Sequence, residues 1–142
     1  MARLARADVF DPAEVSVFHC INRCVRRAYL CGSDPLTGRN YDHRKAALER
    51  RLRYLACHFG IDVIGFAIMS NHFHLVLRNR PDVVDTWSDT EVARRWLSIC
   101  PLRRADANEP AEPTTAELDT IRNCPDRLAE IRTRLSDISW LM

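Results

Sequence analysis

Two apolar runs, residues 61–68 and 72–78, are separated by only three residues, Met69-Ser70-Asn71. Neighbouring parallel strands need a crossover of about a dozen residues or more, so a link this short dictates an antiparallel hairpin. Gly60 precedes the first run and Pro81 follows the second, which stops either from continuing. In the second run side chains alternate between faces, so His72, His74 and Arg78 share one side. Phe73, Leu75 and Leu77 point the other way, where a core belongs. Two neutral imidazoles on the wet face of a strand are a ready pair of ligands for a divalent metal. Taken alone, the same spacing equally suits two hydrogen-bonded surface histidines.

The rest of the chain supplies an α+β context. Residues 15–23 read as a first strand, with Val15, Val17, His19, Ile21 and Arg23 on one face and neither face cleanly polar, as in a central strand. Residues 28–31 are expected to continue a hairpin, and 32–40 are rich in turn formers. Asp42 is placed to cap a helix that runs to Phe59, with Leu48, Leu52, Leu55 and Ala56 as its apolar stripe and Gly60 as its stop. A helix capped by Asp89 is expected through Ile99, closed by Pro101; residues 105–115 read as a flexible polar loop. Residues 116–142 read as a late helical segment interrupted at Pro125, with Leu128, Ile131, Leu135, Ile138 and Leu141 as its stripe. Strand, helix, hairpin and helix in that order make an antiparallel sheet with helices packed on one face.

With 142 residues, 46% of them apolar, the chain is expected to form one globular domain, residues 1–142. It has no 18-residue apolar run, and its N-terminus lacks a signal-peptide core, so a soluble cytoplasmic protein with no membrane partner is expected. Six cysteines without a Cys-x-x-Cys pair read as reduced thiols. Zinc on Cys20 and Cys24 would lack a second ligand pair. The net charge of +2 conceals an asymmetry: residues 1–104 hold 17 Arg and Lys against 11 Asp and Glu, and residues 105–142 hold 4 against 8. Every cation except Lys45 is arginine, which suits bidentate phosphate contacts. A basic body of this kind fits a nucleic-acid binder.

The flanks of the histidine pair sharpen that reading. Met69-Ser70-Asn71-His72-Phe73-His74-Leu75-Val76-Leu77 resembles the signature of the HUH single-strand DNA transposases, and more narrowly the REP-associated tyrosine transposases, whose domain is also described as IS200-like. Phe18-His19-Cys20-Ile21-Asn22-Arg23 is similar to that family's first strand, and residues 135–142 are similar to the start of its late helix. The resemblance implies a ferredoxin-like, RRM-like sheet with the histidine pair on a central strand. It implies a metal-dependent endonuclease that cuts and rejoins single-stranded hairpin DNA during transposition, a form of DNA recombination, through a 5′-phosphotyrosine and as a homodimer.

Carried onto these residues, the resemblance makes His72 and His74 ligands of Mg2+ or Mn2+, with His19 a candidate third. Arg23, Arg26, Arg27, Arg50, Arg51, Arg53 and Arg78 become candidate DNA contacts. The family tyrosine is the departure. Tyr29, Tyr41 and Tyr54 all precede the histidine pair, and none occupies the family position, so the catalytic nucleophile is unassigned. The expected state is therefore a C-terminally incomplete HUH domain, inactive in cleavage. The alternative is a non-catalytic, domesticated or truncated module that binds hairpin DNA; a sensor built on His19, Cys20 and Cys24 rests on spacing alone. Asn71 is expected to shape the turn.

Overall fold

The structure is a computed structural model that describes residues 11–25, 29–105 and 110–142. The chain divides into two compact units, one built around a sheet and one of helices. Its class is α+β, with a three-stranded antiparallel sheet, as expected from the strand pattern and compatible with a ferredoxin-like arrangement.

The sheet unit takes in residues 17–57 and 62–78. Its strands are β1 (Val17–Arg23), β2 (Ile61–Ile68) and β3 (His72–Asn79), with α1 (His43–His58) between β1 and β2. The strand order is β1-β3-β2, so β3 is the middle strand and carries the histidine pair. β1 runs antiparallel to β3, with Val17 opposite Arg78 and Arg23 opposite His72. β1 and β2 are thus parallel to each other and connected through α1, which is a split βαβ unit. β1 is an edge strand of this sheet, not a central one.

Several local expectations are revised here. Residues 29–31 do not continue a hairpin; the Leu30 and Cys31 N–H groups instead donate to the Ser70 carbonyl at 2.6 and 3.2 Å. Ala28, Arg26 and Arg27 lie outside the described residues. The Asp42 carboxylate ties the preceding turn together, accepting from the Gly32 N–H at 3.0 Å and the Asn40 amide at 3.2 Å. Along α1 no residue is fully buried, and its arginines at 50, 51 and 53 are exposed.

The helical unit comprises residues up to 16, 58–61 and 79–142. It holds α2 (Pro81–Val84), α3 (Asp89–Ile99), α4 (Thr115–Arg122), α5 (Pro125–Ser136) and α6 (Ile138–Leu141). α5 packs against α2, α3, α4 and α6. Val92, Ala93, Leu97, Ile121, Ile131, Leu135 and Ile138 are buried, so the expected stripe of the late segment does form a core face. Ser88, not Asp89, caps α3, accepting from the Glu91 N–H at 3.2 Å. Thr114 and Glu117 close a reciprocal capping box at α4. Pro125 sits at the start of α5, where its missing N–H costs nothing.

Gly60 is required by space. A Cβ there would lie 2.1 Å from Val84 Cγ2 and 3.2 Å from the Arg80 carbonyl oxygen. The Gly60 N–H donates to the Leu135 carbonyl, and its own carbonyl accepts from the Arg80 N–H, both at 2.8 Å. Asn79 is buried at 2% exposure and fully bonded: Oδ1 accepts from the Ser16 N–H at 2.7 Å, and Nδ2 donates to the Glu14 carbonyl at 2.9 Å. No helix among the described residues is long and apolar enough to cross a membrane.

Candidate functional site: a histidine cluster on the sheet

Register builds the site. Directly opposed residues of an antiparallel pair point to the same face, so Val17, His19, Ile21 and Arg23 of β1 join His72, His74, Val76 and Arg78 of β3. His74 stands opposite Ile21, which makes His19 its diagonal neighbour. Three histidines that are far apart in sequence therefore converge. The His19 Nε2 and His74 Nδ1 atoms are 2.8 Å apart, and the His72 and His74 rings meet edge to face with centroids 5.0 Å apart.

The first contact is a hydrogen bond. The His19 and His74 ring planes are 18° apart and their centroids are separated by 5.0 Å. Face-to-face stacking would keep the rings about 3.5 Å apart, which a 2.8 Å N···N approach does not allow. The rings instead meet end to end, nearly coplanar, as an N–H···N bond requires. His72 has its own partner: its Nδ1 donates to Asn71 Oδ1 at 2.6 Å. Such a bond fixes the tautomer and leaves the Nε2 lone pair outward.

Asn71 is thus more than the turn residue expected from sequence. Its carbonyl accepts from the Cys24 N–H at 2.8 Å, tying the end of β1 to the start of β3, while its side chain bonds His72. An Asn immediately before a candidate ligand His was the available signal.

Its surroundings favour the neutral form of His74. Loss of hydration is the main cause that lowers the His74 pKa below 6.5, followed by the nearby positive charges of His72, His19 and Arg23. Arg23 lies on the same face, opposite His72, and is exposed. Arg78 also shares that face, but it is engaged: its Nη2 and Nε lie 2.6 and 2.8 Å from Asp62 Oδ2. By the alternation of β2, Ile64 and Phe66 lie on the face of Asp62; they are 56% and 41% exposed. With Val17 and Ile21, also exposed, they set the histidines in an open apolar surface flanked by arginine.

The remaining candidates lie elsewhere. Arg50, Arg51 and Arg53 are on α1, and the Arg51 guanidinium sits 5.4 Å from the centre of the Tyr54 ring. Burial pushes the Tyr54 phenol above its ordinary pKa of 10.0, against a smaller lowering by Arg51. Arg44 lies 4.2 Å over the Tyr41 ring. Cys20, Cys24, Cys31, Cys57, Cys100 and Cys124 are not joined in disulfides.

Among the described residues, no group of three or more His, Cys, Asp or Glu side chains is arranged to hold a metal ion. The donors that fit one are the two Nε2 atoms of His72 and His74, whose Nδ1 atoms are both occupied by hydrogen bonds. A scan against protein-family models finds no match to this chain, and neither the curated proteins nor the solved structures return one.

Proposed function

We propose that this chain is an HUH-type protein of the single-strand DNA transposase class, closest to the REP-associated tyrosine transposases. It binds single-stranded hairpin DNA on the histidine face of its sheet and holds Mg2+ or Mn2+ through His72 and His74. The observation that carries the reading is the Asn71–His72 and His19–His74 pair of hydrogen bonds, which engages the Nδ1 atoms of two neighbouring imidazoles on the middle strand and leaves their Nε2 atoms outside both bonds. A two-imidazole set accepts Mn2+ more readily than Mg2+, which prefers oxygen ligands. A bound divalent ion would supply positive charge to a phosphate oxygen.

The chain's own residues contribute the rest. Exposed Arg23 lies beside the histidines and gives a bidentate phosphate contact. Phe66 and Ile64 offer apolar surface on which a base can lie. Arg78 is held by Asp62, so its phosphate contact competes with an ion pair and is the weaker one.

Binding without cleavage is the state proposed for this chain. A tyrosine nucleophile needs help losing its proton, whereas burial makes the Tyr54 phenol harder to ionise. The test is a 3′-labelled single-stranded hairpin oligonucleotide with Mn2+, comparing the chain with the His72→Ala/His74→Ala variant on native and denaturing gels. Hairpin retention without a covalent adduct, together with Mn2+ binding lost in the double variant, is expected. Failure to retain the hairpin at low salt, or unaltered Mn2+ binding in the double variant, overturns the proposal. A 5′-phosphotyrosine adduct would replace the binding reading with an active transposase.

A further inference from the structure

We infer that His19 is a positioning residue and not a metal ligand: its Nε2 accepts the Nδ1–H of His74 and thereby presents the His74 Nε2 beside that of His72. The inference rests on the reading that His72 and His74 hold the ion, and it assigns the third histidine of the cluster.

Direction, not distance, separates the two roles. Nitrogens bound at about 2.0–2.1 Å to one ion lie about 2.8–3.4 Å apart, for right-angled to tetrahedral geometry, and their lone pairs converge on that ion. His19 Nε2 and His74 Nδ1 lie 2.8 Å apart with nearly coplanar rings, so each lone pair or proton is directed at the other ring and not at a common third point. The proton's position then follows. If His19 donated, His74 would carry its proton on Nε2 and lose the lone pair that a ligand needs. If His74 donates, its arrangement matches that of His72, whose Nδ1–H goes to Asn71 Oδ1 at 2.6 Å. One partner comes from the residue next in sequence and the other from a strand 55 residues away, yet both act at Nδ1. Outer partners of this kind set ring orientation and ligand basicity.

Backbone register holds the pairing. β1 and β3 place His19 diagonally across from His74, which is within reach of long side chains on one face. His19 itself is exposed, so its ring can be changed without opening a core.

The experiment uses the full chain and two probes. Mn2+ affinity is read from the loss of the free-ion electron paramagnetic resonance signal, and the number of coordinated imidazoles from pulsed resonance of bound Cu2+. Two imidazoles are expected in the parent chain and in His19→Ala, with Mn2+ affinity weakened roughly 10–100-fold in the variant. His19→Gln, whose amide oxygen can accept the same Nδ1–H, is expected to recover most of the affinity, still with two imidazoles. A count of three that falls to two in His19→Ala would make His19 a ligand and overturn the inference. Unchanged affinity in His19→Ala, or no recovery in His19→Gln, would overturn it too. No imidazole coupling in the parent chain would remove the His72 and His74 reading, and this inference with it.

Discussion

The helical unit and the sheet unit spend their apolar residues in opposite ways. Around α5, Ile131 and Leu135 are 1% and 0% exposed, and buried polar groups such as Asn79 are fully bonded. On the histidine face of the sheet, Val17, Ile21, Ile64 and Phe66 are 59%, 57%, 56% and 41% exposed. Hydrophobic side chains lower the free energy of folding only when water leaves them. The helical core therefore contributes to stability, whereas the histidine face of the sheet leaves its apolar side chains in water.

Truncation should break this comparison most forcefully. Leu135→Ala removes a fully buried side chain and is expected to cost about 2–5 kcal/mol in urea unfolding. Phe66→Ser on the sheet should stay within about 0.5 kcal/mol while weakening hairpin retention. A Phe66→Ser loss as large as that of Leu135→Ala would show that the sheet face is core.

The two glycines repeat the contrast more gently. Gly60→Ala forces a methyl into Val84 and is expected to cost about 1–3 kcal/mol. Gly65, on β2, has nothing within 4 Å of its would-be Cβ, so Gly65→Ala should leave the urea midpoint nearly unchanged. Equal midpoints for the two variants would refute the close approach at Gly60.

Asn79→Ala leaves the Ser16 N–H and Glu14 carbonyl without their partner. A loss of about 1–3 kcal/mol is expected, with faster hydrogen exchange at Ser16. Unaltered exchange there would mean that another group takes over the bond.

Acid should produce the smallest and most selective effect. The folded His74 pKa lies below its ordinary 6.5, so the unfolded chain binds this proton more readily. Its stability contribution is present above about pH 6.5 and is lost as pH falls through the depressed folded value. Glu117 behaves differently in the helical unit: the Arg103 guanidinium and then the Thr114 backbone N–H hold its carboxyl down at about 2, so its contribution is lost only between about pH 4.5 and 2. NMR-monitored titration from pH 7.5 to 5 should thus perturb His74 and β1 while the Glu117 cap stays intact. His74→Asn should remove the sheet response. Simultaneous loss of both signals would contradict the separation.

How much was legible in sequence differs between the two regions. The hairpin, α1 and the late helical stripe were readable because period and short connections are local properties. His72 and His74 were readable because strand alternation places them together. The edge position of β1 was not, since residues 15–23 are apolar on both faces, and apolar character alone does not distinguish a buried strand from an open recognition face. Ser88 at α3 was not legible because the next residue, Asp89, is an equally good cap type, and the Asp62–Arg78 ion pair was not because it depends on strand pairing across 16 residues. The Thr114-x-x-Glu117 box was also visible in principle.

By itself, the sequence determined the α+β class, the hairpin and a pair of histidines sharing one face, because backbone sterics and side-chain periodicity act over a few residues. Only the tertiary structure decided that His19 meets His74, that Asn71 rather than a distant residue orients His72, and that Gly60 leaves no room for a Cβ. The physical reason is long-range register. A one-residue slip between β1 and β3 would turn His19 to the opposite face, and no local pattern in residues 17–23 specifies which residue of β3 each must face.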